Sequence, residues 1–273
     1  MNDHERFIFD TNGYFIVEGV LANEQVEALR ATIRQGTEQF DPVAKENHPL
    51  HWGKAWRDLL DVPVISEYLE ALVGNHALYE GRREARGDDA LPTFRLDHVN
   101  VHTHVKNGFK GMPLHGGWRG TGGSQFFRYH DGRFYNGLVV VAYELFDTSP
   151  NGGGFCCIPG SHKANLPLPG EWTAPGSAPD GLVKKIPARP GDAIIFTETL
   201  IHGTAAWNVD APRKTLFYKF SPHGTSWSSD FFEPADFAIY EDMDNRKLAI
   251  LEAPNARYKG RPTAPVFKQS GDS

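Results

Sequence analysis

Apolar and polar positions along the chain change period twice. Up to about residue 90 the apolar residues recur at helical spacing. Val26, Leu29 and Ile33 fall at i, i+3 and i+7 and predict an amphipathic helix with Asn23 as its N-cap. Pro63 opens a second helix, with Val64, Tyr68, Leu69 and Leu72 on one face and Gly74 at its end. Ahead of both, Phe7 to Val17 reads as a short apolar strand segment with a turn at Asn12-Gly13. Residues 40–60 are polar and aromatic without a clean period.

From residue 92 the period is two. Phe94 to His104 alternates as a strand does, and Leu138 to Leu145 is a continuous apolar run that fits a buried core strand. Gly181 to Ile186, Ala193 to Phe196 and Thr215 to Phe220 are further predicted strands, and Pro190-Gly191-Asp192 is a tight turn before the middle one. After residue 225 short helical pieces return, such as Asn245 to Glu252, followed by a polar tail rich in Pro and Gly. Helices, then many strands, then helices describe a β-rich α+β fold. The architecture expected is a double-stranded β-helix, or jelly roll, with helices packed on one face. Strands and helices do not alternate, which argues against a dinucleotide-binding fold. No linker divides the chain, so residues 1–273 are read as one domain: a mainly helical part (1–90), a β core (92–222) and a helical tail (225–273).

Composition narrows the chemistry. The 273 residues are 40% hydrophobic and 23% charged, ordinary for a globular domain. The net charge of −6 gives no basic excess for a nucleic acid polymer or an anionic membrane. No apolar stretch approaches a membrane span and no secretory signal is visible, so a cytoplasmic location is expected. The two cysteines, Cys156 and Cys157, are adjacent, read as buried strand residues and fit a reducing compartment. Against them stand 12 histidines, so imidazole and carboxylate are the expected ligands of any metal.

Two histidines are marked by context. His115 lies in Met112-Pro-Leu-His-Gly-Gly-Trp, and His202 lies at the exit of a predicted core strand, with Arg213 eleven positions further on. Two distant histidines joined across a barrel, with an Arg fork beside them, suit an iron centre and an oxoacid carboxylate.

At these residues the chain resembles the phytanoyl-CoA dioxygenase superfamily of iron(II)/2-oxoglutarate enzymes. The likeness is carried by Gly13-Tyr-Phe-Ile-Val-Glu-Gly-Val-Leu, by Gly152-Gly-Gly-Phe-Cys-Cys-Ile-Pro-Gly-Ser-His-Lys and by Pro190-Gly-Asp-Ala-Ile-Ile-Phe with His202-Gly-Thr and Arg213-Lys-Thr-Leu. The resemblance implies that His115 and His202 are iron ligands, that Arg213 binds the far carboxylate of 2-oxoglutarate, and that Thr204 assists there. O2 is the implied second co-substrate.

One departure stands out. The superfamily's proximal motif is His-x-Asp or His-x-Glu, whereas this chain reads His115-Gly116-Gly117. Gly117 has no side chain to give the metal, which leaves a coordination position for water or a halide. In this respect the chain is similar to iron/2-oxoglutarate halogenases, and the expected activity is chlorination of an unactivated C–H, with chloride as a further cofactor. That branch includes chlorinases of 2′-deoxyadenosine 5′-monophosphate in antibiotic biosynthesis, so a nucleoside monophosphate chlorinated at its 2′ carbon is the candidate substrate. Three other readings stay open: a carboxylate such as Asp131 or Glu144 supplied from elsewhere, a hydroxylase of a small natural-product intermediate, and a non-enzymatic binding protein. Asp131 reads first as a turn residue. Candidate substrate contacts are Trp118, Arg119, Arg128 and Lys163, which offer stacking and anion binding. His102 and His104 share a strand face and are expected to line the pocket or bond to the sheet, and His162 to fix its loop or face the substrate.

Overall fold

A computed structural model describes residues 1–33, 48–74, 91–106, 110–117, 123–148, 151–174 and 176–256. The first helix, α1 (Asp3–Asn12), is where a strand segment was expected from Phe7. Its N-terminus is a capping box: the Asn2 side chain accepts from the Glu5 N–H, and the Glu5 carboxylate accepts from the Asn2 N–H. Gly13, at φ 80°, ends it in the left-handed conformation and turns the chain into β1 (Tyr14–Val17). Helix α2 (Asn23–Thr32) follows, with Ala22 rather than Asn23 at the N-cap. The stretch 40–60 holds, in its described part, a 3₁₀ turn (Pro49–His51) and α3 (Lys54–Asp58). Helix α4 (Pro63–Leu72) starts on its proline as expected.

The β core comprises β2 (Phe94–His104), β3 (Met112–His115), β4 (Phe127–His130), β5 (Arg133–Asn136), β6 (Val139–Glu144), β7 (Gly154–Cys157), β8 (Lys184–Lys185), β9 (Ala193–Thr197), β10 (His202–Ala205) and β11 (Arg213–Pro222). The predicted strand Gly181–Ile186 shrinks to the two residues of β8, and the one at Thr215–Phe220 lengthens at both ends. All pairings are antiparallel. One sheet has the order β1-β9-β6-β11-β2, a second β3-β10-β7-β8, and β4 and β5 form a separate hairpin. Short helices α5 (Pro234–Phe237) and α6 (Asn245–Ile250) close the described chain.

Alternation along the strands separates two apolar layers. One face of the five-stranded sheet carries Val139, Val141, Tyr143, Leu216, Tyr218 and Phe220, and packs against the helices through Phe9, Leu29, Trp56 and Leu69. The other face carries Val140, Ala142, Ile194, Phe196 and Phe217, which meet Phe155 and Cys157 of the four-stranded sheet. Each large side chain buried in this way contributes about 1.5–3 kcal/mol. Both cysteines are buried and unbridged. The inner face turns polar along β11, where Arg213, Thr215 and Lys219 share the side of Phe217. No helix among the described residues is long and apolar enough to cross a membrane.

Candidate metal centre

Strands β3 and β10 pair so that His115 and His202 stand directly opposite each other. Their ring centroids are 4.3 Å apart. Each ring is fixed by its own chain two residues away: His115 Nδ1 lies 2.9 Å from the Pro113 carbonyl and His202 Nδ1 lies 2.7 Å from the Leu200 carbonyl. A carbonyl only accepts, so the neutral form of each ring carries its proton on Nδ1 and keeps a lone pair on Nε2. His202 is buried, and burial first, then the neighbouring His115, pushes its pKa down to about 4. His115 is exposed, which leaves the pair open on one side.

The third member of the cluster is Glu198. Ligand atoms of His115, Glu198 and His202 all lie within 4.8 Å of one another. Glu198 Oε1 accepts from Lys219 Nζ at 3.2 Å. Its Oε2 is buried and has no hydrogen-bond partner among the described residues. Burial raises the Glu198 pKa, but Lys219, through its charge and its hydrogen bond, with the adjacent His202 and His115, outweighs it and holds the carboxyl below its usual range. A buried carboxylate oxygen with no donor, facing two imidazole lone pairs, is a donor set that fits a divalent transition metal.

Gly116 and Gly117 explain how Glu198 reaches this position. A Cβ on Gly116 would lie 2.4 Å from the Leu200 carbonyl oxygen and 3.0 Å from that of Glu198. The glycine pair lets the turn after β3 lie against the segment that carries Glu198 and His202, and Gly117 N–H donates to the Thr199 carbonyl at 2.8 Å. A Cβ on Gly117 would meet Ile201 Cγ1 at 3.2 Å, and φ is +82°. Of the two carboxylates considered from elsewhere, Asp131 is a left-handed turn residue and Glu144 is paired with Arg213, so neither is in the His115–Glu198–His202 cluster. The sequence reading missed Glu198. The available signal was an acidic residue, flanked by Thr197 and Thr199, inside the mostly apolar Ala193–Ile201 run, since a buried acid needs a partner indoors.

Arg213 is fully buried at the start of β11. Its Nη2 donates to Glu144 Oε1 at 2.5 Å, while Thr215 Oγ1 donates to Glu144 Oε2 at 2.6 Å. Its Nη1 lies 3.3 Å from His104 Nδ1. Burial, then Arg213, pushes His104 down to about 3, and burial with Arg213 and Lys219 does the same for His102, so both rings are neutral at pH 7. Thr204 is buried two residues beyond His202 on β10. His162 fixes its loop, with Nε2 at 3.1 Å from the Asp10 carbonyl. Lys163 pairs with Asp10, and Arg128 lies over the Phe126 ring, so neither joins the cluster. Trp118 and Arg119 lie outside the described residues.

The sequence profile of the phytanoyl-CoA dioxygenase (PhyH) family matches residues 9–215, and the chain belongs to that family. Membership places it among oxidoreductases of the non-haem iron, 2-oxoglutarate dioxygenase type. The chain is similar to the ectoine dioxygenase of Nocardia farcinica, with 24% identity over 263 residues, 85% of this chain and 82% of the relative. It is 25% identical over 263 residues to the ectoine dioxygenase of Sphingopyxis alaskensis, covering 93% and 79% of the two chains. Among solved structures, HygX from Streptomyces hygroscopicus with iron bound superposes with a TM-score of 0.65 at 24% identity, covering 83% of this chain and 89% of that one. This likeness supports the β-rich fold of antiparallel sheets.

Proposed function

We propose that this chain is an iron(II)- and 2-oxoglutarate-dependent hydroxylase of a free small molecule, built on a jelly roll, with His115, Glu198 and His202 as the metal ligands. The observation that carries this reading is the buried, donorless Oε2 of Glu198 beside two Nε2 lone pairs. Two histidines and one carboxylate are the ligand set of oxygen-activating iron sites with open positions. When bound, the iron supplies oxygen activation coupled to oxidation of the oxoacid. The protein's own part is positional. Backbone carbonyls fix the two imidazole tautomers, Lys219 holds the far oxygen of Glu198, and the rings of Phe155 and Phe196 exclude water behind His202. Arg213 anchors the far carboxylate of 2-oxoglutarate, with Thr204 beside it. Its Nε has no hydrogen-bond partner among the described residues, and Gly154 presents no side chain to that atom.

Ectoine dioxygenases and a HygX structure with hygromycin B bound concern free small molecules, which supports a free substrate here. Iron(II), 2-oxoglutarate and O2 with ectoine, hygromycin B or 2′-deoxyadenosine 5′-monophosphate should yield succinate together with a product heavier by one oxygen atom. Failure of the protein to bind iron(II), or Glu198→Ala binding it as tightly as the native chain, would overturn the ligand assignment. A second reading, halogenation with chloride, is favoured by the missing side chain at Gly117. Mass spectrometry with chloride and then bromide separates the two, because only a halogenase changes its product with the halide.

A further inference from the structure

We propose that Glu144 is a built-in competitor of the oxoacid, already neutralising the Arg213 guanidinium when the co-substrate's far carboxylate arrives. The inference rests on the reading that Arg213 is the oxoacid anchor. Arg213 and Glu144 are both fully buried, 2.5 Å apart, with side-chain exposures of 0% each. Glu144 is held from both sides, since its second oxygen accepts from Thr215. A guanidinium can only donate, so the His104 Nδ1 facing Arg213 Nη1 accepts and the ring adds no positive charge. The charges of Arg213 and Glu144 therefore cancel before any ligand binds. An arriving carboxylate adds a second negative charge beside one cation, in surroundings where an unmatched charge is costly. The approach left to it is the Nε side, where Gly154 leaves room and Nε lacks a partner.

A purely structural Glu144 and a competing Glu144 predict opposite signs. If Glu144 only orients Arg213, its replacement weakens oxoacid binding. If it competes, Glu144→Gln, which keeps the shape and one acceptor oxygen but loses the charge, binds tighter. With Mn(II) in place of oxidisable iron(II), calorimetry should show 2-oxoglutarate binding to E144Q about tenfold tighter than to the native chain, the size of one pKa unit of like-charge repulsion. The affinity for 2-oxobutyrate, which lacks the far carboxylate, should stay within about twofold, since that charge is not there to repel. Should E144Q fail to fold, Glu144→Ala gives the second test: it should bind 2-oxoglutarate more tightly, and added formate should refill the space and restore the weaker native affinity. Equal or weaker 2-oxoglutarate binding in the folded variant overturns the competition. Arg213→Met keeps the outcomes apart. If R213M binds 2-oxoglutarate as well as the native chain, the anchor reading falls and takes the inference with it. If R213M loses binding while E144Q gains nothing, only the inference falls.

Discussion

Strand β11 carries two interior cation–carboxylate pairs six residues apart, which at strand rise is about 20 Å. At its start, Arg213 meets Glu144, and both Glu144 oxygens are bonded. Further on, Lys219 meets Glu198, and only one Glu198 oxygen is bonded. The first carboxylate is satisfied by the protein itself; the second is short of one positive partner. A fully bonded buried carboxylate has no lone pair left exposed to a further cation, whereas a half-bonded one beside two imidazoles can still accept one. Asp97 marks the satisfied extreme. It accepts from His98, Arg95, Ser226 and the Trp227 and Ser228 N–H groups, its pKa is lowered to about 2, and it pins the 226–228 loop to β2.

The largest effect expected from breaking the contrast is on stability. Arg213→Met strands Glu144 in the interior and should cost about 3–5 kcal/mol in urea unfolding. Mn(II) should stabilise this variant only as much as it stabilises the native chain, so the deficit stays. Lys219→Met should also destabilise, but Mn(II) should recover most of that loss, because the metal replaces the missing cation at Glu198. Equal metal rescue of both variants would erase the distinction between the pairs.

Metal affinity comes next. Glu198→Gln should weaken Co(II) binding by roughly 100-fold or more, since losing even an outer partner of a ligand costs 10–100-fold. Glu144→Gln should leave Co(II) affinity within about twofold, as it keeps all three ligands. Visible absorption of bound Co(II) reads both.

The pH dependence is more gradual. His48, His102 and His104 are lowered from 6.5 to about 3, and His162 to about 4, in each case first by burial. The unfolded chain binds protons at these rings below pH 6.5 and the folded chain does not. Stability is therefore fully present above 6.5 and falls as pH drops toward 4, by about 1.4 kcal/mol per pH unit for each ring. Denaturation midpoints at pH 7, 6 and 5 test this, and a flat profile contradicts the buried neutral rings. The smallest effect is at Gly117, where Ala meets a left-handed backbone and should cost about 1–2 kcal/mol, read as a lower melting temperature.

Much of this was legible in the chain. His115, His202 and Arg213 sit in local motifs at strand ends, and helix α4 is announced by its proline and by Tyr68, Leu69 and Leu72, although Ile65 rather than the expected Val64 is the buried residue of its first turn. Glu198 was not legible, because its role depends on Lys219, a residue 21 positions away that only the β11–β6–β9 ladder brings near. The α1 helix was hidden by the apolar residues of 7–17, although Asn2 and Glu5 have capping-box spacing. Strand β8 was overestimated because alternation over 181–186 does not reveal how many residues find a ladder partner.

The glycine pair after His115 also fixes which changes are open to the chain. Restoring Asp at 117 in a single step would place a side chain on a left-handed backbone, against Ile201 and next to a carboxylate already in position. A carboxylate at 117 would then stand near Glu198 with Lys219 as the cation already bonded there, so a change at 117 is expected to be tolerated only together with a change at 198.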